Sequence, residues 1–404
     1  LKPENNSRTQ IILNGSYQKT IDSKDYSKVK RDLIKHVFDS FNYIKKKYEL
    51  VLVEGAGSPA EINLRKDDIA NMGFAEYANL PVILIADIER GGVIAQIVGT
   101  KEVLSKSDSD RIKGFIINKF RGNQKLFEDG YNYIIEKTSW FGFGVMPWFN
   151  NYLKFPAEDT LGIASNIRPN KLKIVCLNIP RISNFDDLDP ISQEPNVSLL
   201  MLEKGQPIPG DSHLVIIPGS KSTISDLNFI KSQGWDIDLK AHLNRGKYVL
   251  GICGGFQMLG EYVDDSLGLE GLPIITEGLN LLNIKTKMLP QKKIRKVNAK
   301  HIETDIPFQG YEIHIGETYG SDCERPFASI SGKKEGATSK DGRVIGTYLH
   351  GMFVNNDFRK WFLENIGFKV TNKNYTSTLE KTLDELADSL EENLNINKIL
   401  NDQY

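Results

Sequence analysis

The stretch Val249–Gly260, VLGICGGFQMLG, places a cysteine where an apolar, strand-like run gives way to a helix-like pattern. Gly251, Gly254 and Gly255 permit the sharp strand-to-helix turn that presents a nucleophile, and the Gly254 amide would point to where an oxyanion forms. Peptide dipoles at a helix N-terminus favour a thiolate. An isolated free cysteine is more often a small buried hydrophobe. The surrounding glycines nevertheless favour a nucleophilic Cys253.

A cysteine nucleophile needs a base, and the chain has six histidines. The strand-like run Val344–Leu349 ends at His350, which places this imidazole at a strand end. His314 alternates with apolar neighbours in GYEIHIGE and is a second candidate, although a histidine on a strand is more often structural. The strand pattern His213–Ile217 runs into Pro-Gly-Ser-Lys, where the amide of Gly219 would be the second donor of an oxyanion hole.

The first half of the chain alternates strand-like and helix-like patterns, which predicts a parallel α/β sheet. The strand patterns cover residues 48–53, 81–86, 113–117 and 143–146. They are followed by Glu54, Asp87, Asn118 and Pro147, and ligands bind at the carboxyl ends of such strands. We therefore expect Glu54 and Asp87 to hold Mg²⁺, Asn118 to contact a nucleotide base and Pro147 to shape the pocket wall. The alternative is that they are ordinary loop residues.

A nucleotide site should also contain a glycine-rich phosphate loop, and no G-x-x-x-x-G-K-[ST] occurs in the 404 residues. The segment Gly219–Thr223 lacks the upstream glycine and lies in the other half of the chain. We expect that the loop either precedes Leu1, which is not a methionine, or has been lost. The polar stretch Ser58–Asp68 follows the Glu54 turn and is interpreted as a substrate-facing loop, or alternatively as a solvated connection.

Length and composition predict two globular domains without a strongly charged partner. Net charge is −1 and 25% of residues are charged, which favours neither nucleic acid nor a membrane as partner. Three cysteines and no signal peptide or long apolar run indicate a cytoplasmic protein. We place the boundary at residues 162–171, giving domains at 1–165 and 172–404. A C-terminal amphipathic helix, with leucines from 379 to 394, is expected to pack on the second domain.

Several motifs together resemble a known family. VLGICGGFQMLG, PGSKST, GYEIHIGET and GTYLHGMF resemble the class I-like glutamine amidotransferase domain of the cobyric acid synthase family. VEGAGSPAEINLRKDDIANMGFAE, ADIERGGV, INKFRGN and PAEDTLG resemble its dethiobiotin-synthetase-like ATP domain. The resemblance spans nearly the whole chain. It implies an α/β fold with a P-loop NTPase-like, parallel-sheet domain followed by the amidotransferase domain.

The resemblance implies a ligase that takes ammonia from glutamine. Cys253 would attack the glutamine amide, with His350 as base and the Gly219 and Gly254 amides holding the oxyanion. ATP and Mg²⁺ would activate carboxylates b, d, e and g of a corrinoid, adenosylcobyrinic acid a,c-diamide. It also implies Glu54 as a Mg²⁺ ligand and Asn118 with Pro147 as adenine contacts.

Met352 stands two residues after His350, where the usual class I triad has a glutamate, so we expect a Cys-His dyad. Two other functions remain open from the sequence. One is a glutaminase or ligand-binding module without synthetase activity, and the other is a cobyrinic acid a,c-diamide synthase. The oligomeric state is not determined by the sequence.

Overall fold

The computed structural model describes residues 2–3, 8–22, 25–156, 165–169, 171–367 and 374–401. The chain forms two compact units, of which the first comprises Leu1–Asn150 with Leu383–Tyr404 and the second Asn151–Thr382. This division differs from the domains 1–165 and 172–404 that we expected. Of the expected boundary segment, residues 162–164 and 170 lie outside the described residues.

The first unit contains a small antiparallel sheet and a parallel one. Its elements are β1 (Lys2–Pro3), β2 (Arg8–Leu13), β3 (Ser16–Asp22), α1 (Tyr26–Lys45), α2 (Met72–Tyr77), β4 (Val82–Asp87), α3 (Val93–Val103), α4 (Lys106–Arg111), β5 (Ile112–Phe120), α5 (Glu128–Thr138) and β6 (Phe141–Pro147). Strands β1 to β3 are antiparallel, whereas β4, β5 and β6 pair in parallel in that order. Ile97, Phe115, Ile117 and Ile134 are fully buried in its core. The prediction of a parallel α/β sheet is confirmed.

One predicted strand of the first unit does not form. Residues 48–53 carry no strand, and Leu52 is 82% exposed. An apolar, β-branched run becomes a strand only when a neighbouring strand accepts its backbone hydrogen bonds. Among the described residues β4 pairs with β5 on one side and with no strand on the other. Within the described part of the chain, the run at 48–53 thus does not pair with the open edge of β4.

The second unit is built on a larger sheet. Its elements are β7 (Leu172–Leu177), β8 (Ile182–Ser183), α6 (Asp189–Ser192), β9 (Val197–Leu202), β10 (Leu214–Ile217), β11 (Gly219–Ser220), α7 (Thr223–Ser232), α8 (Trp235–Asn244), β12 (Tyr248–Ile252), α9 (Gly254–Met258), β13 (Tyr262–Asp265), β14 (Ile274–Glu277), β15 (Lys285–Lys287), β16 (Lys293–His301), β17 (Pro307–His314), β18 (Glu317–Tyr319), β19 (Ala328–Ile330), β20 (Lys333–Glu335), β21 (Ala337–Thr338), β22 (Val344–Thr347), β23 (Leu349–His350) and α10 (Asn356–Asn365).

The main sheet of this unit has the order β21-β22-β12-β10-β7-β9, and all neighbours except β21 and β22 are parallel. Central strands β10 and β12 are almost wholly apolar and buried, as expected for a parallel sheet that is covered on both faces. A five-stranded antiparallel sheet, β20-β19-β16-β17-β23, lies beside it in the fold. Strand β12 ends at Ile252, so Cys253 lies at the carboxyl end of a central strand, where sites form in such sheets.

The C-terminal helices are α11 (Tyr375–Asn393) and α12 (Ile396–Asn401). Residues from Leu383 onward group with the first unit, in which the Asn395 amide donates to the Phe143 carbonyl at 2.8 Å. A Cβ added to Gly144 would lie 2.2 Å from the Asn393 carbonyl oxygen, so only glycine in β6 allows this approach. The contacts of the helix end thus differ from the expected packing on the second domain. No helix among the described residues is long and apolar enough to cross a membrane.

Candidate active site

Cys253 lies at a strained turn between β12 and α9. Its φ is +53° and its ψ is −108°, which is an unfavourable conformation for a residue other than glycine. Its amide donates to the Thr347 carbonyl at 2.8 Å. A Cβ added to Gly255 would lie 2.0 Å from the Ile217 carbonyl oxygen, so the helix can follow the strand closely only with glycine there. These contacts form the sharp strand-to-helix turn expected of a nucleophile elbow and leave Cys253 6% exposed, while its role as nucleophile stays a prediction.

His350 is held by a carboxylate. Its Nδ1 lies 2.7 Å from Oδ2 of Asp187, whose Oδ1 accepts the Gly351 amide at 2.6 Å. Asp187 is 3% exposed and His350 is fully buried. The carboxylate selects the tautomer that carries its proton on Nδ1, which leaves Nε2 for proton exchange with a substrate or thiol. Among the described residues, Nε2 of His350 is buried without a hydrogen-bond partner.

The charge of the His350 imidazolium is stabilised by its neighbours. Burial works against the charged form, but the Asp187 carboxylate and then the Cys253 thiol outweigh it and raise the pKa of His350 to about 10. The ring is also held from one face. Tyr311 stacks on it with ring centroids 5.1 Å apart and an interplanar angle of 17°. The Tyr311 hydroxyl donates to Asp186 Oδ2 at 3.2 Å, which fixes the stacked ring.

Asp187 orients the His350 ring, and no sequence motif indicated this contact. It lies in the one-turn helix Phe185–Leu188, within the acidic turn that precedes Pro190. The position that holds a glutamate in the usual triad carries Met352, which is buried. The expected Cys-His dyad does not describe the structure, because Asp187 supplies a carboxylate from another part of the chain. The cluster of aspartates in that turn was the available signal.

The two glycines expected to form an oxyanion hole lie beside the thiol and the imidazole. Gly254 directly follows Cys253, and Gly219 lies in β11. A Cβ added to Gly219 would lie 3.2 Å from Cε1 of His350. The structure therefore brings four predicted site residues, Cys253, His350, Gly219 and Gly254, into one place. The role of each glycine stays a prediction.

His314, the second candidate base, lies in a different environment. It stacks on Tyr348 with centroids 3.7 Å apart and lines a cavity of about 670 Å³ with Glu312 and Glu335. Burial lowers the pKa of His314 to about 4. The hydroxyl of Tyr348 accepts a hydrogen bond from Gln257, one turn after Cys253, at 3.2 Å. These contacts favour a structural His314 over a base.

Three of the four strand-end candidates in the first unit lie at one edge of its sheet. Asp87 is registered with Asn118 across β4 and β5, and Pro147 pairs with Phe120 across β5 and β6. Glu54 is exposed and lies in a turn outside the strands. No group of three or more metal-ligating side chains occurs among the described residues. The nucleotide candidates Asn118 and Pro147 thus lie at the same edge of the sheet, whereas the described residues do not form a complete metal site.

Both carboxylate oxygens of Asp87 already have protein donors. Oδ2 accepts from Lys119 Nζ at 2.8 Å, and Oδ1 accepts from the Glu89 amide at 2.7 Å. Partial burial raises the pKa of Asp87, but the Lys119 ammonium outweighs this effect and keeps the pKa below its usual value. Asp87 is therefore ionised, as a hard oxygen ligand must be, but a cation would have to displace Lys119 from it.

The polar loop that follows Glu54 is fixed by one arginine. Arg65 makes a two-pronged contact to Asp108, with Nε to Oδ2 at 2.8 Å and Nη2 to Oδ1 at 2.9 Å. The same guanidinium contacts Glu76 at 2.6 Å. The Arg65 guanidinium holds the pKa of Asp108 below its usual value. The loop is thus tied to α2 and α4 rather than being only a solvated connection.

The fold and the Cys253–His350 pair define a glutamine amidotransferase domain preceded by an α/β domain. Residues 173–358 match the CobB/CobQ-like glutamine amidotransferase domain family, and residues 1–152 match an AAA domain family. Curated cobyric acid synthases are similar over nearly the whole chain. That of Bradyrhizobium diazoefficiens is 53% identical over 400 residues, and that of Rhodobacter capsulatus is 52% identical over 400 residues. Each alignment covers 99% of this chain and 83% of the relative.

The chain therefore belongs to the cobyric acid synthase family. Among solved structures, a glutamine amidotransferase from Thermotoga maritima is 16% identical and covers 57% of this chain and 93% of its own. Its TM-score of 0.34 is too low to support a comparison of folds.

Proposed function

We propose that the chain catalyses the glutamine-dependent, ATP-driven amidation of carboxylates b, d, e and g of adenosylcobyrinic acid a,c-diamide, giving adenosylcobyric acid in cobalamin biosynthesis. Family membership at 52–53% identity supports the substrate and the overall reaction. The observation that carries the glutamine-dependent step is the strained Cys253 beside a His350 that is oriented by Asp187. A carbon-nitrogen ligase of this kind joins two reactions through ammonia.

The amidase reaction begins with the Cys253 proton already on Nε2 of His350, because the raised pKa of His350 favours an imidazolium beside a thiolate. The thiolate then attacks the side-chain carbonyl carbon of glutamine, so that an S–C bond forms and the carbonyl electron pair moves onto oxygen. Backbone amides at the elbow, Gly254 among them, stabilise this oxyanion. His350 donates its proton to the departing nitrogen as the C–N bond breaks, and ammonia leaves a glutamyl thioester. Water, deprotonated by His350, hydrolyses the thioester to glutamate and regenerates the thiol.

Asp187 assists each proton transfer without touching the substrate. By accepting the Nδ1 proton at 2.7 Å, it keeps Nε2 directed at the reacting atoms and lowers the free energy of the imidazolium. Tyr311 restricts rotation of the same ring from its face. The proton therefore has one defined position on His350 between its removal from sulfur and its delivery to nitrogen.

The first unit would perform the ATP-dependent step. ATP transfers a phosphoryl group to a corrinoid carboxylate, ammonia attacks the acyl carbon, and phosphate leaves. Asn118 and Pro147 would contact the adenine, and Glu54 with Asp87 would hold Mg²⁺. Two carboxylates suit Mg²⁺, which commonly takes one or two from the protein and the rest of its ligands from water and phosphates. When bound, Mg²⁺ would neutralise charge on the phosphates.

The test is an assay of the chain with glutamine, Mg-ATP and adenosylcobyrinic acid a,c-diamide. Mass spectrometry counts the amides added to the corrinoid, and glutamate is measured in parallel. Stepwise product with up to four added amides supports the proposal. Glutamate without amidated corrinoid would support the glutaminase alternative instead. Conversion of cobyrinic acid but not of its a,c-diamide would support the a,c-diamide synthase.

A further inference from the structure

The chain passes from one sheet of the second unit to another just before His350. Strand β22 is parallel to β12 in the main sheet and ends at Thr347, opposite Ile252. Strand β23 begins at Leu349 in the antiparallel sheet, where His350 lies opposite Tyr311. We call residues 347–350 the corner. An amide between two strand ladders has no strand partner, so in a buried segment it needs another acceptor.

Glu335 on β20 is that acceptor. Its Oε1 accepts the Tyr348 amide at 2.7 Å, and its Oε2 accepts the Thr347 hydroxyl at 2.8 Å. The Thr347 hydroxyl oxygen in turn accepts the Leu349 amide at 3.0 Å. Thr347 is fully buried, and Glu335 is 7% exposed. One buried carboxylate therefore fixes the path of the chain through the whole corner.

The corner is connected to both reacting groups. The Thr347 carbonyl accepts the amide of Cys253 at 2.8 Å, and Cys253 is the residue with the strained φ of +53°. His350 is the last residue of the corner. A rotation of the Thr347 peptide would thus move the anchor of Cys253 and the backbone of His350 together. A misplacement of about 1 Å in an active site can cost about 100-fold in rate.

Both protonation states of Glu335 can hold the corner. Burial raises the pKa of Glu335 to about 7, so both forms occur near neutral pH. The carboxylate accepts both donors. The protonated acid accepts the Tyr348 amide and donates its own proton to the Thr347 hydroxyl oxygen, since a hydroxyl both donates and accepts. A glutamine imitates this acid form, whereas a methionine of similar length makes neither hydrogen bond.

We propose that Glu335 is a positioning residue, which holds Cys253 and His350 at their reacting distance through the corner. The inference rests on the proposed amidase function and deepens it. Glu335 lies outside the motifs that indicated the site, and its side-chain hydrogen bonds end on Thr347 and Tyr348 rather than on the reacting groups. Its loss should therefore be seen in the chemical step more than in the binding of glutamine.

The test compares the full chain with its Glu335→Met and Glu335→Gln variants by glutamate release at varied glutamine. We expect Met to lower kcat by about 30- to 100-fold at a KM within about threefold, and Gln to stay within about threefold of the parent. Asp322→Leu is the matched control, because Asp322 is 3% exposed and accepts the Asn283 amide at 2.8 Å, outside the corner. Its kcat per folded molecule should stay within about threefold of the parent.

A second measurement separates positioning from a loss of folded protein. The rate of Cys253 alkylation by iodoacetamide is measured at about pH 6 and pH 9, with Cys253→Ala to subtract the other cysteines. A thiolate at pH 6 needs the neighbouring imidazolium, whereas at pH 9 a free thiol ionises without it. We expect Glu335→Met to be alkylated about tenfold more slowly than the parent at pH 6 and at a similar rate at pH 9. Unfolding alone would not produce this difference between the two pH values.

Thr347→Val covers the case in which Glu335→Met does not fold, since valine keeps the shape and removes the hydroxyl between Glu335 and Leu349. It should lower kcat by about tenfold with KM unchanged. If the parent releases no glutamate, the proposed amidase function fails. If the parent is active, three results would overturn the role of Glu335 alone: parent-like kcat in a folded Met or Val variant, an alkylation rate at pH 6 that Met leaves unchanged, or an equal loss of kcat in Asp322→Leu.

Discussion

Replacing Asp187 with asparagine should disable the imidazole while preserving its shape. Two donors, Nδ1–H of His350 and the Gly351 amide, now meet two carboxylate oxygens at 2.7 and 2.6 Å. An asparagine has a single acceptor oxygen. If that oxygen takes the Gly351 amide, its NH₂ group faces Nδ1 and forces the proton onto Nε2. The Nε2 atom would then be unable to accept the Cys253 proton.

The size of the effect follows from the pKa of His350. The difference between about 10 and the ordinary value of 6.5 corresponds to about 5 kcal/mol in favour of the imidazolium, since one pKa unit is about 1.4 kcal/mol. Each such unit is a factor of ten in rate, so the net shift corresponds to about 10³- to 10⁴-fold. Because His350 retains the stacked Tyr311 and the thiol, we expect Asp187→Asn to lower glutaminase kcat by about 10²- to 10³-fold.

The assay is glutamate release at varied pH, with Asp186→Asn as the matched control. Asp186 is the adjacent carboxylate and contacts Tyr311 rather than His350, so its variant should stay within about tenfold of the parent. The parent imidazolium loses its proton only near pH 10, and without Asp187 it does so at lower pH. The alkaline limb of the pH-rate profile should therefore move to lower pH. An Asp187→Asn variant within about threefold of the parent, with an unmoved alkaline limb, would refute this account of His350.

Three further predictions concern stability. Burial raises the pKa of Glu335 from 4.5 to about 7, so the folded protein binds this proton more tightly than the unfolded chain does. Protonated Glu335 therefore stabilises the fold by about 3 kcal/mol at low pH, and this stabilisation is lost as the pH rises from 4.5 to 7. Urea unfolding should show Glu335→Gln gaining about 3 kcal/mol on the parent between pH 4.5 and 8, and parallel pH curves would contradict this. Gly255→Ala should lower the free energy of unfolding by about 3 kcal/mol or more, because the added Cβ would lie 2.0 Å from the Ile217 carbonyl oxygen. The control Gly271→Ala should change it little, since no atom lies within 4 Å of the added Cβ. Equal effects of the two variants would contradict the tight turn. Arg65→Ala should destabilise the first unit by about 2–3 kcal/mol, because it leaves the buried Asp108 carboxylate without its arginine. Lys106→Ala, which breaks an exposed ion pair, should cost less than about 0.5 kcal/mol. Similar losses for the two variants in thermal unfolding would contradict this prediction.

The sequence predicted the parts of the site that depend on local sterics. A Cβ added to Gly251 would lie 2.7 Å from the carbonyl oxygen of Gly255, four residues away, so the spacing of these glycines reports the turn directly. Asp187 was missed because it approaches His350 from 163 residues away, and no spacing rule connects them.

In the first unit the sequence predicted where strands occur, but not which strands pair with each other. The patterns at 81–86, 113–117 and 143–146 correspond to β4, β5 and β6, because buried parallel strands are continuous apolar runs. The run at 48–53 has the same composition but no partner strand among the described residues. The leucine spacing of the C-terminal segment predicted a helix and not its contacts, since an apolar stripe does not specify the surface that covers it.

The central claim is that Cys253 passes the glutamine nitrogen to the corrinoid. The most direct measurement supplies glutamine labelled with ¹⁵N in its side-chain amide, together with unlabelled ammonium, Mg-ATP and adenosylcobyrinic acid a,c-diamide, and reads the isotope in the product by mass spectrometry. We expect ¹⁵N in the new amides of the parent, and only unlabelled nitrogen in those made by Cys253→Ala. Unlabelled product from the parent, or labelled product from Cys253→Ala, would contradict the claim.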